Sequence, residues 1–414
     1  MMFLSDIPSI LPQTVANDTY LMPQTATLGV LGGGQLGRFF LMAAKDLGYR
    51  TVVWAPDFES PAFGLADEVI QAPFDNAKAF QRFTSLADGI SYEFENLPVE
   101  TLQAMEALGK VVSPSSKILQ ICQHRILERE CLNGLNIPIS PFKSIHTLAE
   151  LTTGFQELGE EPCILKTARL GYDGKGQAKL TTLQDCTSVF AALGGEAHAP
   201  YLLERVVPFV REVSLIVGRC ATGGMVTYPL IENRHHRHIL DMSLCPAPHL
   251  QESTQQQAHQ IAETLTNHLG LVGILCIECF ELADGSLVVN ELAPRPHNSG
   301  HLTIEGCVTS QYEQQVRALC GFALGSTALR VPSIGLQNLM GELWAANGDT
   351  PDWGRLLQHF PEVKLHLYGK EAAKPGRKMG HLVLTGNSMD KVEQTLKAAK
   401  NCIGLLKYLR HLTN

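Results

Sequence analysis

"GILCIECFELADGSLVVNELAPRPHNSGH", residues 273–301, holds two apolar runs joined at Asp284-Gly285, a strong two-residue hairpin signal. With that pair as the loop, Ala283 faces Ser286, Leu282 faces Leu287, and counting outward sets Glu278 opposite Glu291. Facing carboxylates repel. Carboxylates with room for phosphate oxygens suit Mg²⁺, so the pair reads as a metal site in which the cation relieves the repulsion. Two solvated strand carboxylates are the plain alternative, but the neighbours are apolar. Period-2 parity sends Asn290 to the other face. Arg295, His297, Asn298, Ser299, Gly300 and His301 follow directly, and such polar density after a strand reads as a ligand loop.

Upstream, "CILKTA" puts Lys166 inside an apolar strand, where an ammonium is costly unless it meets an anion. "GYDGKGQ", 171–177, then offers a glycine loop between two strands. It is not a Walker A sequence, because no helix-opening Lys-Ser/Thr follows. An exposed β-turn fits the loop alone; the nearby lysine points to nucleotide phosphates and a closing lid. Further upstream, Gly32-Gly33-Gly34-Gln35-Leu36-Gly37 satisfies GxGxxG between a strand and a helix. A dinucleotide site, a substrate phosphate and close helix–strand packing all fit that cluster. Asp57, the candidate ribose acid, follows a proline awkwardly. Downstream, Lys370, Arg377 and Lys378 in "YGKEAAKPGRKMGH" fit a phosphate or carboxylate clamp, with an ordinary basic surface loop as the plain alternative. His235, His236 and His238 read as a solvated loop, since no acid-rich pattern supports a metal there.

The pattern around these motifs predicts an α/β and α+β chain. Residues 1–25 are an extension without Lys or Arg, lacking the basic start of a signal peptide. Residues 26–120 read as a doubly wound α/β domain, 121–325 as a strand-rich α+β domain and 326–414 as a small mixed domain. Short strands are expected at Glu68–Gln71, Gly89–Phe94 and Val111–Ser113, and helices over Ser115–Asn136 and Ser310–Leu324. The chain has 414 residues, 45% hydrophobic and 18% charged, with a net charge of -8 that argues against nucleic acid as the main partner. No apolar run reaches the roughly 18–20 residues of a membrane span. The 11 scattered cysteines fit reduced cytosolic thiols, and Cys276 and Cys279 point to opposite faces of their strand, which disfavours zinc.

Taken together, "GVLGGGQLGRF", "YEFENLP", "GYDGKGQ", "YPLIEN", "NELAPRPHNSGH", "TSQYEQQVRAL" and "GRKMGH" resemble the ATP-grasp enzymes. More narrowly, they resemble the N5-carboxyaminoimidazole ribonucleotide synthetases of purine biosynthesis, from Thr27 to the end. The resemblance implies pre-ATP-grasp, ATP-grasp and C-terminal domains, with ATP, bicarbonate and 5-aminoimidazole ribonucleotide as substrates. It implies Mg²⁺, or alternatively Mn²⁺, on Glu278 and Glu291. Lys166, Gly171, Gly174 and Gln177 are implied at the phosphates, with Arg129 and Asn290 also on ATP. Glu204, Arg205 and Val207 are implied at the adenine hinge, and Glu212 at the ribose. Tyr172, Asp173 and Lys175 are implied in the catalytic loop, with Arg295, His297 and Asn298 around bicarbonate and the aminoimidazole. Gln35, Leu36, Glu93 and Ser299 complete the substrate pocket, and Lys370 and Arg377 hold its 5′-phosphate. A cytoplasmic homodimer that passes its product to a mutase is implied as well.

Two positions depart from the family pattern: His124 stands where it has Asp, and Arg129 where it has Lys, so the charge persists with altered geometry. Three other readings stay open. They are a formate-dependent glycinamide ribonucleotide ligase of the same superfamily, an NAD(P) oxidoreductase built on GxGxxG, and a scaffold without catalysis.

Overall fold

The computed structural model describes residues 21–171, 175–347 and 350–404. Its first unit is a parallel sheet of β1 (Thr27–Leu31), β2 (Arg50–Ala55), β3 (Glu68–Gln71), β4 (Gly89–Tyr92) and β5 (Val111–Val112), ordered β3-β2-β1-β4-β5. β1 enters helix Gln35–Asp46 through Gly32, whose φ of +98° suits only glycine, and Gly48 at φ +84° stops the helix. The strand order reverses between β1 and β4. The loops after these two strands therefore meet at the switch point, where open α/β sheets bind ligands.

The second sheet is antiparallel, ordered β6-β9-β7-β8, with β6 (Phe142–Ile145), β7 (Cys163–Thr167), β8 (Gln177–Leu180) and β9 (Tyr201–Arg205). The third has nine strands. β10 (Arg211–Arg219), β11 (Met225–Thr227), β12 (Ile231–His236), β13 (Ile239–Cys245), β14 (Gly273–Glu281) and β15 (Leu287–Ala293) come from the central region. β16 (Ser333–Met340), β17 (Lys364–Leu367) and β18 (Lys378–Gly386) come from the C-terminal region. The order is β15-β14-β10-β12-β13-β16-β18-β17, with β11 on β10, so hydrogen bonding runs unbroken past residue 325.

Alternation splits the core. Val213, Leu215, Leu275, Ile277 and Cys279 pack on one side of the large sheet, beneath helix Glu252–Leu269. Ile216, Ile274 and Cys276 pack on the other, with Ile334 and Val383. Cys276 and Cys279 thus lie on opposite faces, and all 11 cysteines are free.

Local stops correct several sequence expectations. The run from 115 to 136 is two helices, Ser116–Cys122 and Arg125–Gly134, parted at Gln123-His124. The helix after Ser310 ends at Leu319, because Gly321 turns the chain at φ +76°. Of the N-terminal extension, residues 21–25 are described, and Met22 is buried with its N–H on Cys320 O.

Candidate active site

The hairpin loop has three residues, not two. Leu282 N donates to Ser286 O and Gly285 sits at φ +84°, leaving Ala283-Asp284-Gly285 as the turn. Glu281 therefore pairs with Leu287 and Cys279 with Val289, one step off the two-residue count. A bulge then leaves Asn290 unpaired and restores Glu278 opposite Glu291. The bulge also undoes the parity argument. Asn290 and Glu291 are both half-buried between inward Val289 and Leu292, so Asn290 turns to the cleft with Glu291 rather than away from it.

Each carboxylate has a nitrogen partner. His297 Nε2 lies 3.1 Å from Glu278 Oε1, and Arg125 Nη1 lies 3.5 Å from Glu291 Oε2. Burial opposes the Glu278 charge, but His297, with His235 and Arg295 beyond it, outweighs burial and holds the carboxyl below its usual range. Among the described residues, no three His, Cys, Asp or Glu converge to hold a metal by protein groups alone. Two carboxylates completed by phosphate oxygens and water are the donor set of a nucleotide-bound Mg²⁺. The pair fits such a bridging cation and does not fit a closed cage.

Beside the pair, a cleft is lined by Arg129, Lys166, Glu204, Val207, Phe280 and Asn290. Lys166 and Glu204 share the open face of the four-stranded sheet, with Nζ 2.7 Å from Oε2. Arg129 Nε takes the other Glu204 oxygen at 2.5 Å. Burial works against the Glu204 charge, yet Arg129 and Lys166 bring its carboxyl to about 2. Arg129 is 1% exposed and spends further donors on Glu128 at 2.6 Å and on the bulged Asn290 carbonyl. Its guanidinium thus ties helix Arg125–Gly134 to both sheets. Burial pushes Glu128 up to about 7 despite that contact. Arg205 reaches Glu161 at 3.5 Å, Glu212 meets His235 at 3.1 Å, Gln177 pairs with Lys166 across β7 and β8, and Lys175 is exposed. Tyr172, Asp173 and Gly174 lie outside the described residues.

The N-terminal glycines serve close packing. The Glu93 carboxylate, arriving from β4, accepts N–H bonds from Gly34 and, at 2.8 Å, from Gly37. The free amides that a dinucleotide phosphate would use at this helix end are therefore taken. Gln35 donates to Asn298 Oδ1 at 3.1 Å and accepts from Lys370 Nζ at 3.0 Å, joining all three regions of the chain at one point. Arg377 approaches Glu59 at 3.7 Å. Leu36 is 5% exposed in the core, which leaves only its backbone for a substrate. Ser299 is fully buried, its hydroxyl held by Ser214 and His297. Arg295 is anchored by Glu95 rather than free in the pocket.

Sequence reasoning missed Arg125, Glu95 and His235. His235 does not lie in a loop: it is the penultimate residue of β12, at the exposed end of that strand, with its ring held 3.1 Å from Glu212. The alternation of "IENRHH" was its available signal. Arg125 also bonds Gly171 O at 2.9 Å, linking the glycine loop to Glu291.

Three domain families match in sequence: the ribonucleotide synthetase preATP-grasp domain over residues 25–123, the ATP-grasp domain over 130–312, and the phosphoribosylaminoimidazole carboxylase C-terminal domain over 336–395. The N5-carboxyaminoimidazole ribonucleotide synthase of Bacillus subtilis is 40% identical over 86% of this chain and 90% of its own. The bifunctional purine synthesis protein purC/E of Dictyostelium discoideum is also 40% identical, but this chain spans only 37% of its length. The synthetase structure from Thermus thermophilus superimposes with a TM-score of 0.83 at 37% identity, covering 91% of this chain and 98% of that one. The Aspergillus clavatus synthase, solved with ADP and 5-aminoimidazole ribonucleotide, gives a TM-score of 0.81 at 28% identity, covering 92% and 99%. With its three domains in this order, the chain belongs to the N5-carboxyaminoimidazole ribonucleotide synthase family of ATP-grasp ligases.

Proposed function

We propose that this chain uses ATP and bicarbonate to carboxylate the exocyclic amine of 5-aminoimidazole ribonucleotide. One observation carries the reading. The facing glutamates connect through His297 to the neighbouring Asn298, then through Gln35 to Lys370, so one run of contacts links a nucleotide-side cation site to a cationic anchor. That is the span an activated carboxylate must cross to meet an amine on a phosphorylated sugar. The family relationship to the synthase solved with ADP and 5-aminoimidazole ribonucleotide supports it.

Bicarbonate oxygen attacks the γ-phosphorus, ADP leaves, and carboxyphosphate or the CO₂ released from it meets the amine. Mg²⁺, or Mn²⁺ in its place, held by Glu278 and Glu291, supplies charge neutralisation on the phosphates when bound. Lys166 holds phosphate oxygens, Glu204 and Val207 border the adenine, and Glu212 takes the ribose. His297 and Asn298 border the bicarbonate, with Arg295 held beside them by Glu95, and preorganised donors there stabilise charge as it develops. Lys370 and Arg377 hold the 5′-phosphate. We further infer a cytoplasmic homodimer whose product passes to a mutase. The formate-dependent reading is not favoured, since the relatives carry the carboxyaminoimidazole name.

The test is ADP release from ATP and 5-aminoimidazole ribonucleotide, with and without bicarbonate, beside Glu291→Gln. Bicarbonate-stimulated turnover, lost in the variant, is expected. Turnover with formate and glycinamide ribonucleotide instead would overturn the proposal.

A further inference from the structure

Behind the metal pair, six side chains form one hydrogen-bonded chain. Ser243 Oγ donates to Asn233 Oδ1 at 2.8 Å, and Asn233 Nδ2 donates to Ser214 Oγ at 2.9 Å. Ser214 Oγ lies 2.9 Å from Ser299 Oγ, which lies 2.8 Å from His297 Nδ1. His297 Nε2 then meets Glu278 Oε1 at 3.1 Å. From Ser243 to His297 every member is buried, Ser214, Ser243 and Ser299 at 0% exposure.

The chain has a direction, and Asn233 sets it. A carboxamide has one donating and one accepting end. Its NH₂ fills one acceptor position on Ser214, which leaves the Ser214 proton for Ser299 Oγ, the hydroxyl acceptor 2.9 Å away. The Ser299 proton in turn points at His297 Nδ1. The Ser299 backbone N–H aims at the same nitrogen from 3.3 Å. A nitrogen facing two donors carries no proton, so the ring proton sits on Nε2, against Glu278.

We propose that Asn233 is a positioning residue for Glu278: through Ser214 and Ser299 its carboxamide fixes the Nε2–H tautomer of His297, keeping a donor rather than a lone pair against the carboxylate. The inference rests on the function proposed above only for the role it gives Glu278. With the opposite tautomer, a nitrogen lone pair would face a carboxylate oxygen and drive it from its place opposite Glu291. Groups of this kind behind a metal ligand change metal affinity by about 10- to 100-fold.

Asn233→Asp tests the direction with little change of shape. Once ionised, the introduced carboxylate accepts from both Ser243 and Ser214, so both serine protons downstream reverse and His297 Nδ1 must donate. When protonated, the same carboxyl group donates to Ser214 and restores the original direction. Long-range ¹H–¹⁵N spectra of protein labelled in its 15 histidines read the tautomer directly, with His297 assigned by its absence in His297→Gln. The expected wild-type tautomer of the neutral ring is Nε2–H. The variant is expected to show Nε2–H at low pH and to switch to Nδ1–H at high pH. Its Mn²⁺ affinity with a non-hydrolysable ATP analogue, followed by electron paramagnetic resonance, is expected to fall about tenfold or more against wild type only at high pH. Ser243→Ala leaves the direction of the chain intact and is expected to keep Nε2–H. A wild-type ring protonated on Nδ1 would overturn the proposal, whether or not the variant folds, as would Nε2–H in Asn233→Asp at every pH. Neither spectrum depends on turnover, so an error in the assigned reaction would show separately, as absent carboxylation beside an unchanged tautomer.

Discussion

Glu278 stands opposite Glu291 because Asn290 is bulged out of β15, one position from the pair. The bulge brings a third polar group to the cleft face and presents a carbonyl to Arg129. Like charges directly opposed cost about 0.2–1 kcal/mol. Glu291→Gln removes that cost, offset by the loss of the partly exposed Arg125 contact. The nucleotide-free variant is therefore expected to melt at the wild-type temperature or up to about 3 °C above it. Its ATP turnover is expected to fall at least about 100-fold. Melting curves beside turnover check this; a large drop in melting temperature would mean that the pair stabilises the fold without a cation.

The hairpin also marks how far the sequence was legible. Asp284-Gly285 and two apolar runs suffice for β14 and β15, and counting from a two-residue loop reaches the right pair. It does so because a one-residue error at the loop is cancelled by a one-residue bulge at Asn290. Period-2 parity cannot see a bulge, so Asn290 was sent to the wrong face. The three-domain order was legible through the quoted motifs, whereas the boundary at 325 has no local mark because the large sheet runs unbroken across it. Ser299 and Leu36 look alike in a motif whether they touch a substrate or the core, and only packing separates them. Contacts such as Arg295 with Glu95, 200 positions apart, leave no local trace.

Arg129 is expected to matter first to stability. Arg129→Ala strands Glu128 and leaves Glu204 with Lys166 alone, both carboxylates being nearly unexposed. Removing one partner from a buried ionic network costs about 3–5 kcal/mol. Arg129→Lys keeps the charge but cannot serve three acceptors in one plane, and is expected to recover only part. Urea denaturation of both variants, with and without ATP, measures this. A loss below about 1 kcal/mol in Arg129→Ala would show that the two glutamates are relieved by water or by protonation.

Gly34 separates the two substrates. A Cβ there would sit 2.5 Å from Glu93 Oε1, while the backbone itself is unstrained. Gly34→Ala must push the Glu93 carboxylate off the helix end and disturb Gln35 beside it. The KM for 5-aminoimidazole ribonucleotide is expected to rise about tenfold and that for ATP to stay within about twofold, since a misplaced binding group costs roughly 1.4 kcal/mol per decade. A matched rise in both constants would place Gly34 in general folding rather than in the substrate pocket.

Lys370 gives the pocket a pH limit. Burial lowers its pKa to about 8, helped by Arg377 and Lys378 nearby. The ammonium is charged below that value and neutral above it, whereas the substrate phosphate stays dianionic through the same range. Attraction is therefore complete near pH 7 and fades as pH rises through about 8; the bound phosphate itself will move the midpoint upward. The KM for 5-aminoimidazole ribonucleotide is expected to climb between about pH 8 and 10, by at most a decade per pH unit, while the KM for ATP keeps its own profile. Lys370→Arg cannot lose its charge in this range and is expected to flatten the climb, even if its reach raises KM overall. Steady-state profiles of both proteins decide the matter. An equal climb in Lys370→Arg would mean that a group other than Lys370 titrates in the pocket.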